Sequence, residues 1–174
     1  MEFASPDVAF VEHTIESAPV GSRRALHRIE RNLGHVPPVA RRLAESPQLL
    51  DGFRRLSSAF EQSTLDPKAR ETVIMAVAVR NDCQVCVAMH TAKLAALGAP
   101  QGMVDALCGQ RPLDDERLES VRRFTLAVLA SAGAVSEAEL SDFLAHGHTR
   151  RNALEVVLGI GTYTMSTFAN RLVG

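Results

Sequence analysis

The fold class is decided by residues 66–100, which read DPKARETVIMAVAVRNDCQVCVAMHTAKLAALGAP. Asp66-Pro67 indicates a helix start, because aspartate caps free backbone N–H groups and proline suits the first helical position. Leu97-Gly98 indicates a helix end, because glycine readily adopts the left-handed conformation of a C-cap. Between these signals, one helix is predicted to end near Asn81 and a second to open at or just before Cys83. The sequence therefore predicts a helical hairpin.

Helical periodicity continues on both sides of this hairpin, and no convincing pair of strands is found. Further helices are predicted from Ser22 to about Gly34, between residues 38 and 46, from 47 to about 62, over 101–109, over 114–130, from the capping box that opens at Ser136, and over 150–171. Gly159 and Gly161 are predicted to allow another helix to approach closely. The predicted fold is an all-α bundle, and its 174 residues suit a single domain over 1–174.

Composition excludes several classes of function. The formal net charge is −1, so no overall field attracts nucleic acid or an anionic membrane surface. Apolar stretches are broken before they reach the roughly 20 residues of a membrane span. The three cysteines are an odd number, and two are too close for a typical secreted disulfide framework, which favours a reducing compartment. Residues 1–7 are acidic and lack the apolar core of a targeting signal, so we predict the cytoplasm.

The sequence predicts a thiol redox centre inside the hairpin. Cys83 and Cys86 are one helical turn apart, so a sulfenic acid on one can be closed into a disulfide by the other. A helix N-terminus favours the reactive thiolate, and His90 lies on the same helical face as Cys86. Glu71 cannot reach the cysteines along its own helix, but an antiparallel hairpin would bring its carboxylate against the cysteine helix as a proton acceptor.

The spacing of these four residues resembles a known family. The motif Glu, eleven residues, Cys-x-x-Cys, three residues, His is matched at every position by Glu71, Cys83, Cys86 and His90. It is similar to the AhpD-like alkylhydroperoxidase branch of the carboxymuconolactone decarboxylase superfamily. The resemblance covers about residues 35–100 and rests on helical pattern alone outside them. It implies an all-α AhpD-like bundle with the CxxC motif at a helix N-terminus, assembled as a homo-oligomer, either trimer or hexamer.

The resemblance also implies a mechanism and partners. Cys86 would be the peroxidatic thiol and Cys83 the resolving thiol, with Glu71 and His90 relaying the proton. The thiolate attacks a hydroperoxide, the alcohol leaves, and the sulfenic acid condenses to a disulfide. An external dithiol, such as a lipoyl group on a partner protein, reduces that disulfide. No bound cofactor and no metal is required, and the predicted activity is a thiol-dependent peroxidase.

One departure and two alternatives accompany this prediction. Many relatives carry an aromatic residue or histidine just before the second cysteine, whereas this chain has Val85, so a relay or substrate contact from that position is absent. The decarboxylase branch typically lacks the cysteine pair, which argues against that reaction here. The alternatives are a redox-sensing or structural oligomer without efficient turnover, and a zinc-binding module using Cys83, Cys86 and His90, although structural zinc usually has four ligands.

Other chemically distinctive residues have structural interpretations. Cys108 has no partner nearby in sequence and is predicted to be a buried packing residue. His35 is assigned to a turn. His146 and His148 are predicted to form a solvated helix end. Three methionines are predicted to fill the core: Met75, Met89 and Met103.

Overall fold

The protein is described by a computed structural model in which residues 9–174 are placed. The acidic segment 1–7, on which the prediction about targeting depends, lies outside the described residues. Nine helices and no strand occupy residues 9–174, which confirms the all-α fold class. The helices are α1 Val20–Leu33, α2 Pro38–Leu43, α3 Pro47–Glu61, α4 Pro67–Arg80, α5 Gln84–Ala96, α6 Gln101–Cys108, α7 Glu116–Ser131, α8 Glu137–Ala145 and α9 Arg150–Val173. Within residues 9–174, no helix combines the length and the hydropathy that a membrane span requires.

Tertiary contacts divide the described residues into two compact units. One comprises the residues up to Arg55 together with Ala169–Gly174, and the other comprises Leu56–Phe168. Helices α3 and α9 each contribute to both units. The organisation of 1–174 as a single domain stays a prediction.

The first unit has a small core between α1 and α2. It is formed by the buried residues Ala18, Leu26 and Ala44. Helix α1 starts at Val20 rather than at Ser22 as predicted, so Ser22 lies inside its first turn and does not cap it. Its buried hydroxyl instead donates a 2.6 Å hydrogen bond to the carbonyl of Ala44, which ties α1 to the end of α2.

Helix α4 is the central helix of the second unit. Asp66 caps it through a 2.9 Å hydrogen bond from the Ala69 amide, as the sequence predicts. Side chains from Ala69 to Ala78 are mostly buried on all sides, and α4 packs against α5, α6 and α7. A helix that is apolar all round belongs in the interior of a bundle. This burial places Glu71, an ionisable residue, inside the protein.

The turn between α4 and α5 determines the position of the first cysteine. Asp82 has φ 51°, in the left-handed region, and its amide donates to Val79 at 3.0 Å. The Cys83 amide donates to Ala78, also at 3.0 Å. These two bonds form a Schellman motif, with Asp82 at the position that glycine usually occupies. Cys83 is therefore both the residue that closes α4 and the N-cap of α5.

Glycines confirm one predicted helix end and one of the two close approaches that were predicted for α9. Gly98 has φ 66°, as predicted for the end of α5. A Cβ atom added at Gly159 would lie 2.6 Å from the Cζ atom of Phe60, so glycine there does permit close packing. The same prediction for Gly161 is wrong, because a Cβ at that position would meet open space.

Burial corrects several structural predictions. Met75 is fully buried as expected, but Met89 is 63% exposed because it lies on the outer face of α5. Cys108 is exposed at the end of α6 rather than buried. His148 is buried, with its ring stacked on Phe143 at a centroid distance of 4.4 Å, so it is not part of a solvated helix end.

Candidate active site

The two motif cysteines are joined at the start of α5. Cys83 is the N-cap and Cys86 lies in the first turn, and their sulfur atoms form a disulfide with the Cα atoms 5.4 Å apart. Cys83 is 1% exposed and Cys86 is 4% exposed. Both residues pack against Ala78 of α4. A thiol released in this position lies near unsatisfied backbone N–H groups and the positive end of the helix dipole, which favour the thiolate.

Glu71 and His90 meet across the α4–α5 hairpin. The Oε2 atom of Glu71 lies 2.7 Å from Nδ1 of His90, and the two side chains are 2% and 12% exposed. An ionised carboxylate only accepts hydrogen bonds, so Nδ1 carries the proton in this pair and Nε2 is left to accept one. His90 lies one helical turn beyond Cys86 along α5. The antiparallel hairpin therefore brings the predicted carboxylate to the cysteine helix through the histidine.

Lys93 occupies the other oxygen of the same carboxylate. Its Nζ atom lies 3.0 Å from Oε1 of Glu71 and 3.3 Å from Oε1 of Glu61. Burial is the largest single effect on Glu71 and would raise its pKa. The hydrogen bonds and charges of His90 and Lys93 together outweigh burial and hold the pKa of Glu71 below its usual value. Glu71 is therefore an ionised carboxylate inside the protein.

Tyr163 of α9 encloses the histidine from another side. Its ring meets the His90 ring edge to face, with the centroids 5.4 Å apart and an interplanar angle of 87°. The tyrosine is 4% exposed, and its hydroxyl lies 3.4 Å from Oγ of Ser57. Burial is the main effect that raises the pKa of Tyr163. This neutral, buried ring limits the orientations that His90 can adopt.

Lys93 and Tyr163 were not among the predicted site residues. Lys93 follows His90 by three positions, so helical spacing alone contains the signal that both side chains share one face of α5. Tyr163 is 73 positions from His90, and no local pattern relates the two.

The structure brings the four predicted residues together as two pairs. Cys83 is bonded to Cys86, and Glu71 is hydrogen-bonded to His90. Within residues 9–174, no group of three or more His, Cys, Asp or Glu side chains is arranged to hold a metal ion. The histidine His148 lies elsewhere, with Nε2 3.1 Å from the carbonyl of Arg117.

By its fold and its site, this protein is one of a class of all-helical proteins that carry a cysteine pair at the start of a helix. Residues 46–115, which contain the complete motif, match the carboxymuconolactone decarboxylase family. This match supports the resemblance, and the described residues have the AhpD-like fold that the resemblance implied. A search of curated proteins found no significant match.

Solved structures with the same fold have low sequence identity to this chain. The AhpD core structure of an uncharacterized peroxidase-related protein from Ralstonia eutropha JMP134 is 22% identical, with a TM-score of 0.78 over 95% of this chain and 89% of that one. An uncharacterized peroxidase-related protein from Silicibacter sp. TM1040 is 20% identical, with a TM-score of 0.73 over 92% of this chain and 87% of that one. A protein of unknown function from Agrobacterium tumefaciens, described as a candidate antioxidant defence protein AhpD, is 17% identical. Its TM-score is 0.63 over 70% of this chain and 85% of that one.

Proposed function

We propose that this protein is a thiol-dependent peroxidase that reduces alkyl or other hydroperoxides through a Cys83/Cys86 dithiol-disulfide cycle. One observation carries the proposal: the paired cysteines begin the same helix that presents His90, hydrogen-bonded to a buried carboxylate, one turn later. The names of the structural relatives, which include peroxidase-related proteins, agree with this chemistry.

Cys86 is proposed as the peroxidatic thiol and Cys83 as the resolving thiol. Cys86 is the more exposed of the two, at 4% against 1%, and it is the one that shares a helical face with His90. Its thiolate attacks the distal peroxide oxygen, the O–O bond breaks, and the leaving alkoxide takes a proton to become the alcohol. The Cys83 thiolate then attacks the sulfenic acid on Cys86, which releases hydroxide and forms the disulfide.

The Glu71–His90 pair is proposed to relay the protons of this cycle. Nε2 of His90 accepts the proton of the attacking thiol, and the ionised carboxylate on Nδ1 stabilises the imidazolium that results. The same proton can be returned to the departing alkoxide. Because the imidazole is neutral again after each step, the relay leaves the protonation state of the protein unchanged.

An external dithiol is the proposed reductant. It attacks the Cys83–Cys86 disulfide through a mixed disulfide and leaves as an oxidised disulfide itself, which returns two electrons to the protein. The net reaction converts one hydroperoxide and one dithiol into alcohol, water and disulfide. A lipoyl group on a partner protein has the required chemistry. The cytoplasm, where thiols are kept reduced, is the proposed compartment.

We also propose that the chain assembles with copies of itself as a trimer or hexamer. Helix α5 exposes uncharged side chains at helical spacing, namely Val85, Ala88, Met89, Ala92 and Ala96. Exposed apolar side chains also occur on α9, including Leu154 at 73% and Phe168 at 59%. Such surfaces are unusual on a monomer, and small residues let a second helix approach closely. Light scattering at micromolar concentration measures this directly, and a monomer would contradict the proposal.

A thiol titration tests the proposed chemistry. Fully reduced protein has three cysteines, and one equivalent of an organic hydroperoxide should remove two free thiols while Cys108 remains free. Mass spectrometry should then locate a Cys83–Cys86 link. Thiols that survive the hydroperoxide, or a disulfide that includes Cys108, would overturn the proposal.

A second candidate is a redox switch that cycles slowly. The near-complete burial of both cysteines favours it, because reactive catalytic thiols are usually partly exposed. Steady-state peroxide consumption with a dithiol donor separates the two functions. A single oxidation without further turnover would identify the switch.

A further inference from the structure

We propose that Lys93 is a positioning residue of this site, which holds the Glu71 carboxylate ionised and aimed at Nδ1 of His90. The inference rests on the proposed function, since a relay through His90 gives the arrangement its purpose. Lys93 acts through Glu71 and does not itself meet the peroxide or the cysteines in this mechanism.

The contacts divide the two oxygens of Glu71 between two partners. Oε2 accepts from Nδ1 of His90 at 2.7 Å, and Oε1 receives Nζ of Lys93 at 3.0 Å. The carboxylate is 2% exposed, so water cannot replace either partner without opening the hairpin. Loss of Lys93 would leave Oε1 without its cation and would free the carboxylate to rotate about its last bond.

The charges around Glu71 show why this cation is needed. The groups that face it are His90 and Lys93 from α5 and Tyr163 from α9, with Glu61 of α3 on the far side of Lys93. Burial opposes ionisation of Glu71 and Tyr163 carries no positive charge, whereas the hydrogen bonds and charges of His90 and Lys93 both favour the carboxylate. Lys93 is the permanent positive charge in this set. Without it, His90 alone would oppose the effect of burial, so the pKa of Glu71 would rise and more of the side chain would be the carboxylic acid, which stabilises an imidazolium poorly.

The choice of lysine is itself informative. The chain has 19 lysine and arginine residues, and only Lys68 and Lys93 are lysines. A compact ammonium on a flexible stem can reach one buried oxygen from a half-exposed position, whereas the larger guanidinium prefers two parallel hydrogen bonds. Lys93 reaches both Glu71 and the exposed Glu61 in this way. Lys68 lies at the start of α4 and donates to the carbonyl of Gly98, which makes it a matched control.

The experiment compares Lys93→Met, Lys93→Arg and Lys68→Met with the wild type. Carbon-13 NMR of glutamate carboxyl groups, with Glu71→Gln for assignment, follows the Glu71 titration in the oxidised protein, where the two cysteines do not titrate. Lys93→Met should raise the Glu71 midpoint by about 1 pH unit, because an opposite charge at hydrogen-bond distance is removed. Lys93→Arg should restore most of the shift, and Lys68→Met should match the wild type.

Kinetics of the reduced protein supply the second readout. Lys93→Met should lower kcat by about tenfold at pH 7 with KM unchanged. It should also move the acid limb of the pH–rate profile to higher pH. An unchanged Glu71 midpoint in folded Lys93→Met would overturn the inference. If that variant does not fold, Lys93→Gln is judged by the same criterion. A shifted midpoint in a protein that never consumes peroxide would refute the proposed function and leave the positioning role intact.

Discussion

The amide of Cys83 donates a 3.0 Å hydrogen bond to the carbonyl of Ala78, so the first cysteine is bonded to the end of α4 while it caps α5. The bond requires Asp82 to adopt a left-handed conformation, with φ 51°. The placement of the cysteine pair therefore depends on one residue of the connecting turn. Asp82 also accepts a 2.8 Å hydrogen bond from the Gln84 side chain.

Replacement of Asp82 tests this dependence. Asp82→Gly should leave the protein as stable as the wild type or stabilise it by up to about 1 kcal/mol, because glycine has no Cβ to oppose a positive φ. Asp82→Val should destabilise it by about 1–2 kcal/mol, because a branched side chain is strained in this region. Urea unfolding of the oxidised proteins measures both. Equal stability of the two variants would show that the turn does not hold this conformation in solution.

The two glycines of α9 form a second matched pair. Gly159→Ala should destabilise the protein by about 1–3 kcal/mol, because the new methyl group would overlap the ring of Phe60. Gly161→Ala meets open space and should stabilise α9 by up to about 1 kcal/mol through helix propensity. Thermal unfolding checks the difference in sign. A stabilising effect at both positions would mean that Phe60 can move aside.

Replacing Cys86 and replacing Cys83 should have different effects on the reaction. Cys86→Ser should abolish peroxide-dependent turnover, because the attacking sulfur is gone. Cys83→Ser should leave a sulfenic acid on Cys86 that a dimedone-type reagent traps and mass spectrometry locates. Full activity of Cys86→Ser, or a sulfenic acid found on Cys83 instead, would reverse the assignment of roles.

Replacement of Glu71 tests the relay without removing a thiol. Glu71→Gln keeps the size of the side chain and should lower the rate of Cys86 oxidation by about 10²–10⁴-fold, the usual loss when acid–base help is removed. Circular dichroism should show the same helix content as the wild type. Stopped-flow measurement of peroxide reduction gives the rate. A rate equal to that of the wild type would exclude Glu71 from proton transfer.

His148 should make stability fall in mild acid. Its burial is the main cause that lowers its pKa below the usual 6.5. As pH falls below about 6.5, the unfolded chain takes up a proton that the folded protein does not, so the free energy of unfolding decreases. The decrease should stop below the folded-state pKa. His148→Gln should lack this component, which denaturant unfolding between pH 8 and 5 can measure. Parallel pH profiles for the two proteins would contradict the prediction.

Local signals account for most of the correct sequence predictions. Asp66 before a proline, Gly98 after an apolar helix and the capping box at Ser136 each act through bonds to residues within one turn, and all three are found. Helix ends can be predicted because capping depends on neighbours in sequence. The spacing of the motif likewise predicts that Cys83 and Cys86 can meet.

Long-range packing explains what was not predicted. Whether Met89 is core or surface depends on which face of α5 meets α4, and α5 is apolar on several faces, so periodicity could not decide. The contact between the Tyr163 and His90 rings joins α9 to α5 across 73 positions of sequence, so no local pattern signals it. The burial of His148 depends on stacking against Phe143, for which the polar neighbours of His148 give no signal. The contact between Lys93 and Glu71 also depends on the antiparallel packing of α4 and α5.

The exposed thiol of Cys108 provides a labelling site that needs no engineering. Its Sγ atom lies 4.0 Å from Oγ1 of Thr91 on α5, while the disulfide protects the other two cysteines from alkylation. A maleimide fluorophore added to the oxidised protein should therefore attach at one position, next to helix α5, whose cysteine pair is oxidised and reduced. Subsequent reduction and reoxidation of Cys83 and Cys86 would then be followed optically in the natural chain.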